Sequence, residues 1–297
     1  MIEVKNMTMK YPSGKGVFSL DFSVKKGEVM GYLGPNGAGK TTTIRALLGF
    51  MVPNEGICLI DGLDCFKDAT RIQKSLGYIP GEISFFDDMN GDEFLKMLQD
   101  LRGIKDTTRQ KELLDLFELD PSGKIKKFSK GMKQKLGIVS AFMHNPDVYI
   151  LDEPTSGLDP IMQNRFIELI LEEKKKGKTI LMSSHIFEEV EKTCDNVIII
   201  KEGRIVVKSD VHTLKSTQRN GYDFKVKNHV EAVELLKQKG FEAEEQLNNL
   251  IRVYVTGDTI DQFFKVLSQF TILEFHEINQ TLEDVFMQYY GGEVKSR

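Results

Sequence analysis

The stretch Gly34-Pro35-Asn36-Gly37-Ala38-Gly39-Lys40-Thr41-Thr42 constrains this chain more than any other. It satisfies the pattern G-x-x-x-x-G-K-[ST] in full, and its glycines free the backbone to turn successive N–H groups toward one anion. Residues 28–33 read as a short buried strand before the loop, and residues 42–48 as a helix after it, its positive end facing the same anion. Strand, loop and helix together predict an α/β fold of the P-loop NTPase type that holds a nucleoside triphosphate. Lys40 is then expected to reach the β and γ phosphates, and the Thr41 hydroxyl to ligate Mg²⁺.

A second cluster narrows the chemistry. Val148-Tyr149-Ile150-Leu151 is an apolar run that ends in Asp152-Glu153, which reads as a buried parallel strand presenting two carboxylates at its C-terminal edge. Asp152 is expected to hold magnesium, directly or through water, because a hard divalent ion prefers oxygen donors. Glu153 is expected to polarise the water that attacks the γ-phosphorus, a general-base role worth about 10² to 10⁴ in rate.

Between the two lies Phe128-Ser129-Lys130-Gly131-Met132, followed by apolar residues Leu136, Val139 and Phe142 at helical spacing. It resembles the signature of the ATP-binding-cassette (ABC) family, usually L-S-G-G-Q, keeping Ser129 and Gly131 and replacing the other three positions. Ser156-Gly157-Leu158-Asp159 is similar to that family's D-loop, and Ser183-Ser184-His185 to its H-loop. Tyr11 stands where the family sets an aromatic ring against adenine. These motifs occur in family order over residues 1 to about 215.

The resemblance implies an ABC-type ATPase domain with a helical subdomain, spanning 1–217, that binds ATP and Mg²⁺ and hydrolyses ATP. It further implies that two such domains stack head to tail, a homodimer being expected. Each ATP then lies between the glycine loop of one copy and Ser129 and Gly131 of the other. His185 would contact the γ-phosphate and the attacking water, and Asp159 would orient groups across the dimer. The chain is expected to serve separate transmembrane permease subunits as the energy source of a bacterial exporter, at the cytoplasmic face of the membrane and without nucleic acid. The alternatives are a soluble ABC-type ATPase acting on ribosomes or DNA, and a P-loop kinase. Members of the first kind carry paired cassettes or long coiled coils, of which this chain shows neither, and a kinase would leave the signature and Asp159 segments without a role.

One departure stands out. Where the family has its Q-loop glutamine, after Leu76-Gly77-Tyr78-Ile79-Pro80, this chain has Gly81 and then Glu82. Glu82 is a candidate replacement oxygen ligand for magnesium, against the reading of a solvated loop glutamate. The family's groove for a membrane partner lies near this loop, and here the region holds Phe85, Phe86 and Met89. Such side chains suit an adaptable interface, and equally a local core.

A formal charge of −4 with 28% charged residues describes an ordinary water-soluble chain, and no apolar run approaches the roughly 20 residues that cross a bilayer. No segment reads as a secretion signal. Cys58, Cys65 and Cys194 have no metal-like spacing and read as thiols of a reducing compartment. The lysines at 124, 126, 127, 130, 133 and 135 surround the signature, as a solvated helix face or as an approach for a partner's triphosphate.

Residues 84–145 read as helical, the subdomain that carries the signature. After about residue 218 the texture changes. Residues 222–226, 251–255 and 272–275 read as strands, with a further strand near 241–244, and residues 230–239, 260–267 and 281–290 read as helices. The order predicts a small α+β domain over 218–297, ferredoxin-like with an added final helix. It contains no catalytic cluster, and His229 and His276 read as surface residues. Leu282-Glu283-Asp284-Val285-Phe286 resembles a closing segment recurrent in exporter ATPases of the family.

Overall fold

The computed structural model describes residues 1–86, 88–211, 213, 220–255 and 259–278. The chain divides into two compact units, Met1–Val211 and His212–Arg297. The expected boundary at 217/218, and the helix and closing segment expected after residue 280, lie outside the described residues.

The first unit opens with two long strands, β1 (Ile2–Lys10) and β2 (Gly16–Val24), followed by β3 (Val29–Leu33), α1 (Lys40–Leu47), β4 (Glu55–Ile60), β5 (Leu63–Asp64), α2 (Ala69–Lys74) and β6 (Leu76–Ile79). Three helices come next, α3 (Gly91–Arg102), α4 (Thr108–Leu116) and α5 (Lys130–Phe142). The unit closes with β7 (Val148–Asp152), α6 (Pro160–Lys175), β8 (Thr179–Ser184), α7 (Phe187–Thr193), β9 (Asn196–Lys201) and β10 (Arg204–Asp210). Strands β2-β1-β4-β5 form an antiparallel sheet, and β10-β9-β3-β8-β7-β6 a second one, parallel except for β10 at its edge.

The two kinds of strand carry the patterns their environments demand. All five residues of β3, all five of β7 and all six of β8 are buried, as expected of parallel strands covered on both faces. In β1 and β2 buried residues alternate with more exposed ones instead. One apolar core joins both sheets to α1, with Met7, Leu20, Tyr32, Ile44, Leu47, Ile150 and Ile198 all inside.

Strand order decides where chemistry can happen. In the register, Leu33 of β3 pairs with Ser184 of β8, and Ser183 of β8 pairs with Asp152 of β7. The glycine loop, the Ser183-Ser184-His185 turn and the Asp152-Glu153 pair therefore leave adjacent strands at the same carboxyl edge, where ligands bind in open parallel sheets.

Of the segment expected to be helical from residue 84, the described residues before 90 are not. Asn90 caps α3 by accepting from the Glu93 N–H at 2.8 Å, while Glu93 returns a bond to the Asn90 N–H, a reciprocal cap that fixes the helix start there. Ser129 caps α5 through the Met132 N–H, and Asp159 caps α6 through the Met162 N–H.

A buried carboxylate ties the helices to the sheet. Glu173 on α6 accepts from Arg109 on α4 at 2.8 Å, from the Tyr149 hydroxyl on β7 at 3.0 Å, and from Lys176 at 2.9 Å. Removing one partner of such a group strands the others in low dielectric. Glu173→Ala is expected to cost about 3 kcal/mol in a urea melt, the low end for a broken buried ion pair because Arg109 keeps some contact with water.

The second unit contains β11 (Asn220–Val226), α8 (His229–Gln238), β12 (Glu242–Gln246), β13 (Leu250–Val255), α9 (Ile260–Leu267) and β14 (Ile272–Ile278). Its sheet is antiparallel in the order β12-β13-β11-β14. With helices after the first and third strands, this is the split βαβ arrangement of ferredoxin-like units. Phe263 sits at its centre, stacked on Tyr222 and edge-on to Phe224 and Phe241.

Candidate functional site

A cleft of about 310 Å³ opens at the carboxyl edge of the parallel sheet, lined by Tyr11, Pro35, Asn36, Gly37, Gly39, Lys40, Thr41, Thr42 and Glu153 among others. Gly37 has φ +81° and Gly39 φ +111°, values that favour glycine. At Gly39 a Cβ would also come within 2.4 Å of Val17 Cγ1, so the loop can pass over β2 only if that residue has no side chain. Gly34 and Ala38 belong to the loop itself, and Ala38 is buried under it.

Lys40 is 6% exposed and donates to the Gly34 carbonyl at 2.6 Å. Its Nζ lies 3.6 Å from Glu153 Oε1. Thr41 Oγ1 donates to Asp152 Oδ2 at 3.1 Å, and Ser183 Oγ donates to Asp152 Oδ1 at 2.5 Å. Asp152 is 2% exposed, so those two hydroxyls hold an otherwise buried carboxylate in place. The Thr41 hydroxyl and the Asp152 carboxylate form a hard-oxygen pair at the phosphate end of the cleft, the donor set that suits magnesium.

Glu153 has φ +48°, in the left-handed region that costs a residue with a Cβ roughly 1–2 kcal/mol. The backbone pays it because the Glu153 N–H is held at 3.1 Å by both the carbonyl and the hydroxyl of Ser183. The result turns the carboxylate out of the strand line and into the cleft. His185 Nδ1 lies 3.4 Å from Glu153 Oε2, so the carboxylate and the histidine meet at one point. Tyr11, which also lines the cleft, brings its hydroxyl to 3.3 Å from Thr42 Oγ1.

Some expected residues lie elsewhere. Ser129, Gly131 and Asp159 are not among the lining residues and stand at the N-termini of α5 and α6. Glu82 is exposed and is not among the lining residues either. It is Gly81 that abuts the Asp152 carboxylate, since a Cβ there would lie 3.2 Å from Asp152 Oδ2. Phe85 packs edge-on against Phe94 with ring centroids 4.9 Å apart, so local packing accounts for that ring, while Phe86 is exposed.

Two contributions escaped the sequence. Ser13, Lys15 and Gly16, from the turn between β1 and β2, line the cleft beside Tyr11. The turn chemistry of Pro12-Ser13-Gly14 was readable, but not its approach to the glycine loop. Ser183 is the other, because only the pairing of β7 with β8 shows that its hydroxyl braces both acids.

The geometry agrees with known proteins. A family model described as ABC transporter matches residues 17–156. The bacitracin transport ATP-binding protein BcrA of Bacillus licheniformis is 36% identical over 299 residues, covering 98% of this chain and 98% of that protein. The ABC transporter ATP-binding protein NatA of Bacillus subtilis is 37% identical over 216 residues, covering 69% of this chain and 86% of that protein. Among solved structures, an ATP-binding subunit of an ABC transporter superimposes with a TM-score of 0.68 at 28% identity, covering 90% of this chain and 99% of that one. A dimeric ATP-binding cassette in a post-hydrolysis state with ADP and Pi shares the fold, at a TM-score of 0.65 and 22% identity over 71% of this chain and 99% of that one.

Proposed function

The chain belongs to the ABC transporter family as an ATP-binding, ATP-hydrolysing subunit, and from that premise we propose how its residues divide the work and whom they serve. The observation that carries the reading is a set of contacts around one cleft: Tyr11, Lys40, Thr41 and Glu153 line it, Asp152 is bonded to Thr41, and His185 lies 3.4 Å from Glu153.

Tyr11 stacks on the adenine, and the N–H groups of residues 34–42 with Lys40 grip the β and γ phosphates. Thr41 and Asp152 would hold magnesium, which would offset phosphate charge. Glu153 takes a proton from water as the water oxygen bonds to the γ-phosphorus and the bridge to ADP breaks, leaving ADP and inorganic phosphate. His185, beside Glu153, orients that water and the γ-phosphate.

The site is completed by a second copy of the chain. Ser129 and Gly131 stand at the start of α5, outside their own cleft, where N–H groups and a hydroxyl suit a partner's γ-phosphate, and Asp159, at the start of α6, orients groups across the dimer. ATP then joins two copies, and its hydrolysis lets them part.

The work is delivered to transmembrane permease subunits at the cytoplasmic face of the membrane, in the direction of export, a reading supported by the likeness to a bacitracin-transport ATP-binding protein. No helix among the described residues is long and apolar enough to cross a membrane. A cavity of about 790 Å³ between the end of α1, α2 and the end of α3 offers the docking place, with Phe50 61% and Leu101 76% exposed at its walls and Arg102 beneath. Large exposed apolar residues around a concave surface mark contact sites.

Coexpression with a multispanning membrane protein encoded beside it is the test. Wild-type chain is expected to copurify with that protein, and Leu101→Asp to lose the association while keeping its ATPase activity in solution. Copurification with ribosomes or DNA in place of a membrane protein would overturn the assignment.

A further inference from the structure

Of the residues that α5 buries, Gln134 alone carries a polar side chain. It is 4% exposed, and its amide Nε2 donates to the Pro154 carbonyl at 2.5 Å. A buried amide among apolar neighbours calls for an explanation, and its acceptor supplies one. Pro154 directly follows Glu153, so Gln134 holds the first carbonyl beyond the residue assigned as the base.

Glu153 needs such holding. Its φ of +48° lies outside the extended conformations toward which a following proline steers a residue. The carbonyl and hydroxyl of Ser183 fix its N–H, and the Ser156 N–H donates back to its carbonyl at 3.1 Å. Those contacts belong to β8 and to the turn itself, whereas Gln134 brings in α5. The whole start of that helix lies along the same turn. A Cβ on Gly131 would come within 3.0 Å of the Gly157 carbonyl oxygen, and one on Gly157 within 3.0 Å of Lys130 Cγ and Cδ. The Lys130 ammonium then donates to the Ser156 hydroxyl at 3.1 Å. Residues 154–157 are thus the seat of α5, with the buried amide as the inner contact and the lysine at the exposed edge.

We propose that Gln134 is a positioning residue for hydrolysis: its amide anchors the turn beyond Glu153 to α5, and so sets where the base points. The same helix begins at Ser129 and Gly131. A chain's own base therefore moves with the helix start that it offers to its partner's nucleotide.

Gln134 can act in this way only if Glu153 is the base, and the test separates the two. In full-length protein, Gln134→Met, which keeps the volume and loses the donor, is expected to lower kcat about tenfold while the KM for ATP stays within twofold. Gln134→Asn keeps an amide at the buried site but is one methylene too short to reach Pro154, so it tests the role even where methionine disturbs the fold. It is expected to lower kcat at least threefold. In single-turnover assays, adding Gln134→Met to Glu153→Gln is expected to change the residual rate by less than twofold, because the amide acts through the base. Light scattering is expected to show the same ATP-dependent pairing for that double variant as for Glu153→Gln alone. Unchanged kcat in both Gln134 variants beside a slow Glu153→Gln would overturn the positioning role alone. So would a full tenfold loss in the Glu153→Gln background, or a loss of pairing, which would put the amide in the service of the signature instead. Wild-type turnover in Glu153→Gln would overturn the base assignment and the role of Gln134 with it.

Discussion

Replacing Glu153 with Gln is expected to lower steady-state ATP hydrolysis by about 10² to 10⁴, or roughly 3 to 5 kcal/mol of barrier, while ATP still binds. The direction follows from geometry. Glu153 is held in a left-handed conformation with its carboxylate 3.6 Å from Lys40 and 3.4 Å from His185, and neither contact is needed to grip the nucleotide. Glutamine fills the same space but cannot take a proton from water at neutral pH. Phosphate release in a coupled assay reports the loss, and a fluorescent ATP analogue reports retained affinity. Turnover within threefold of wild type would remove Glu153 from the role of base.

Lys40→Met is expected to act on the other half of the cycle, weakening ATP affinity on the order of a hundredfold or more. The ammonium is almost wholly buried and positioned by the Gly34 carbonyl at 2.6 Å, so it meets phosphate with little entropy left to lose. Two charge-assisted hydrogen bonds to phosphate oxygens at about 1.5–3 kcal/mol each supply that factor. Methionine keeps the apolar stem and the packing while removing the charge. Titration of the same analogue would contradict the assignment if Kd moved by less than threefold. The pair of variants thus separates gripping from cutting: one should bind without turnover, the other should fail to bind at physiological ATP.

Much of this was legible in the chain because it is local. The glycine loop with its strand and helix, the apolar run ending at Asp152-Glu153, and the βαββαβ order after residue 220 each depend on spacing within a few dozen residues. What escaped depends on which strands become neighbours. That β8 lies between β3 and β7 puts Ser183 on Asp152, and no periodicity in residues 179–184 announces it. The place of Gly81 against Asp152 is of the same kind, since β6 reaches β7 across some seventy residues of intervening helix and loop.

The exposed apolar residues show the same limit differently. Of the two phenylalanines after β6, Phe85 packs on Phe94 while Phe86 stays exposed, as do Leu101 and Phe50, apolar residues at or just past helix ends beside a cavity. Composition cannot distinguish an apolar side chain that packs from one that waits for a partner. Burial can, because it registers what the rest of the chain leaves uncovered.

The claim on which the rest depends is that a second copy closes each nucleotide site. Light scattering on the Glu153→Gln protein with magnesium and saturating ATP tests it most directly. The mass of two chains is expected with ATP and of one chain with ADP, and addition of Ser129→Glu, which sets a negative charge at the start of α5, should return the ATP sample to single chains. Single chains throughout, or a dimer indifferent to both nucleotide and Ser129, would contradict the account.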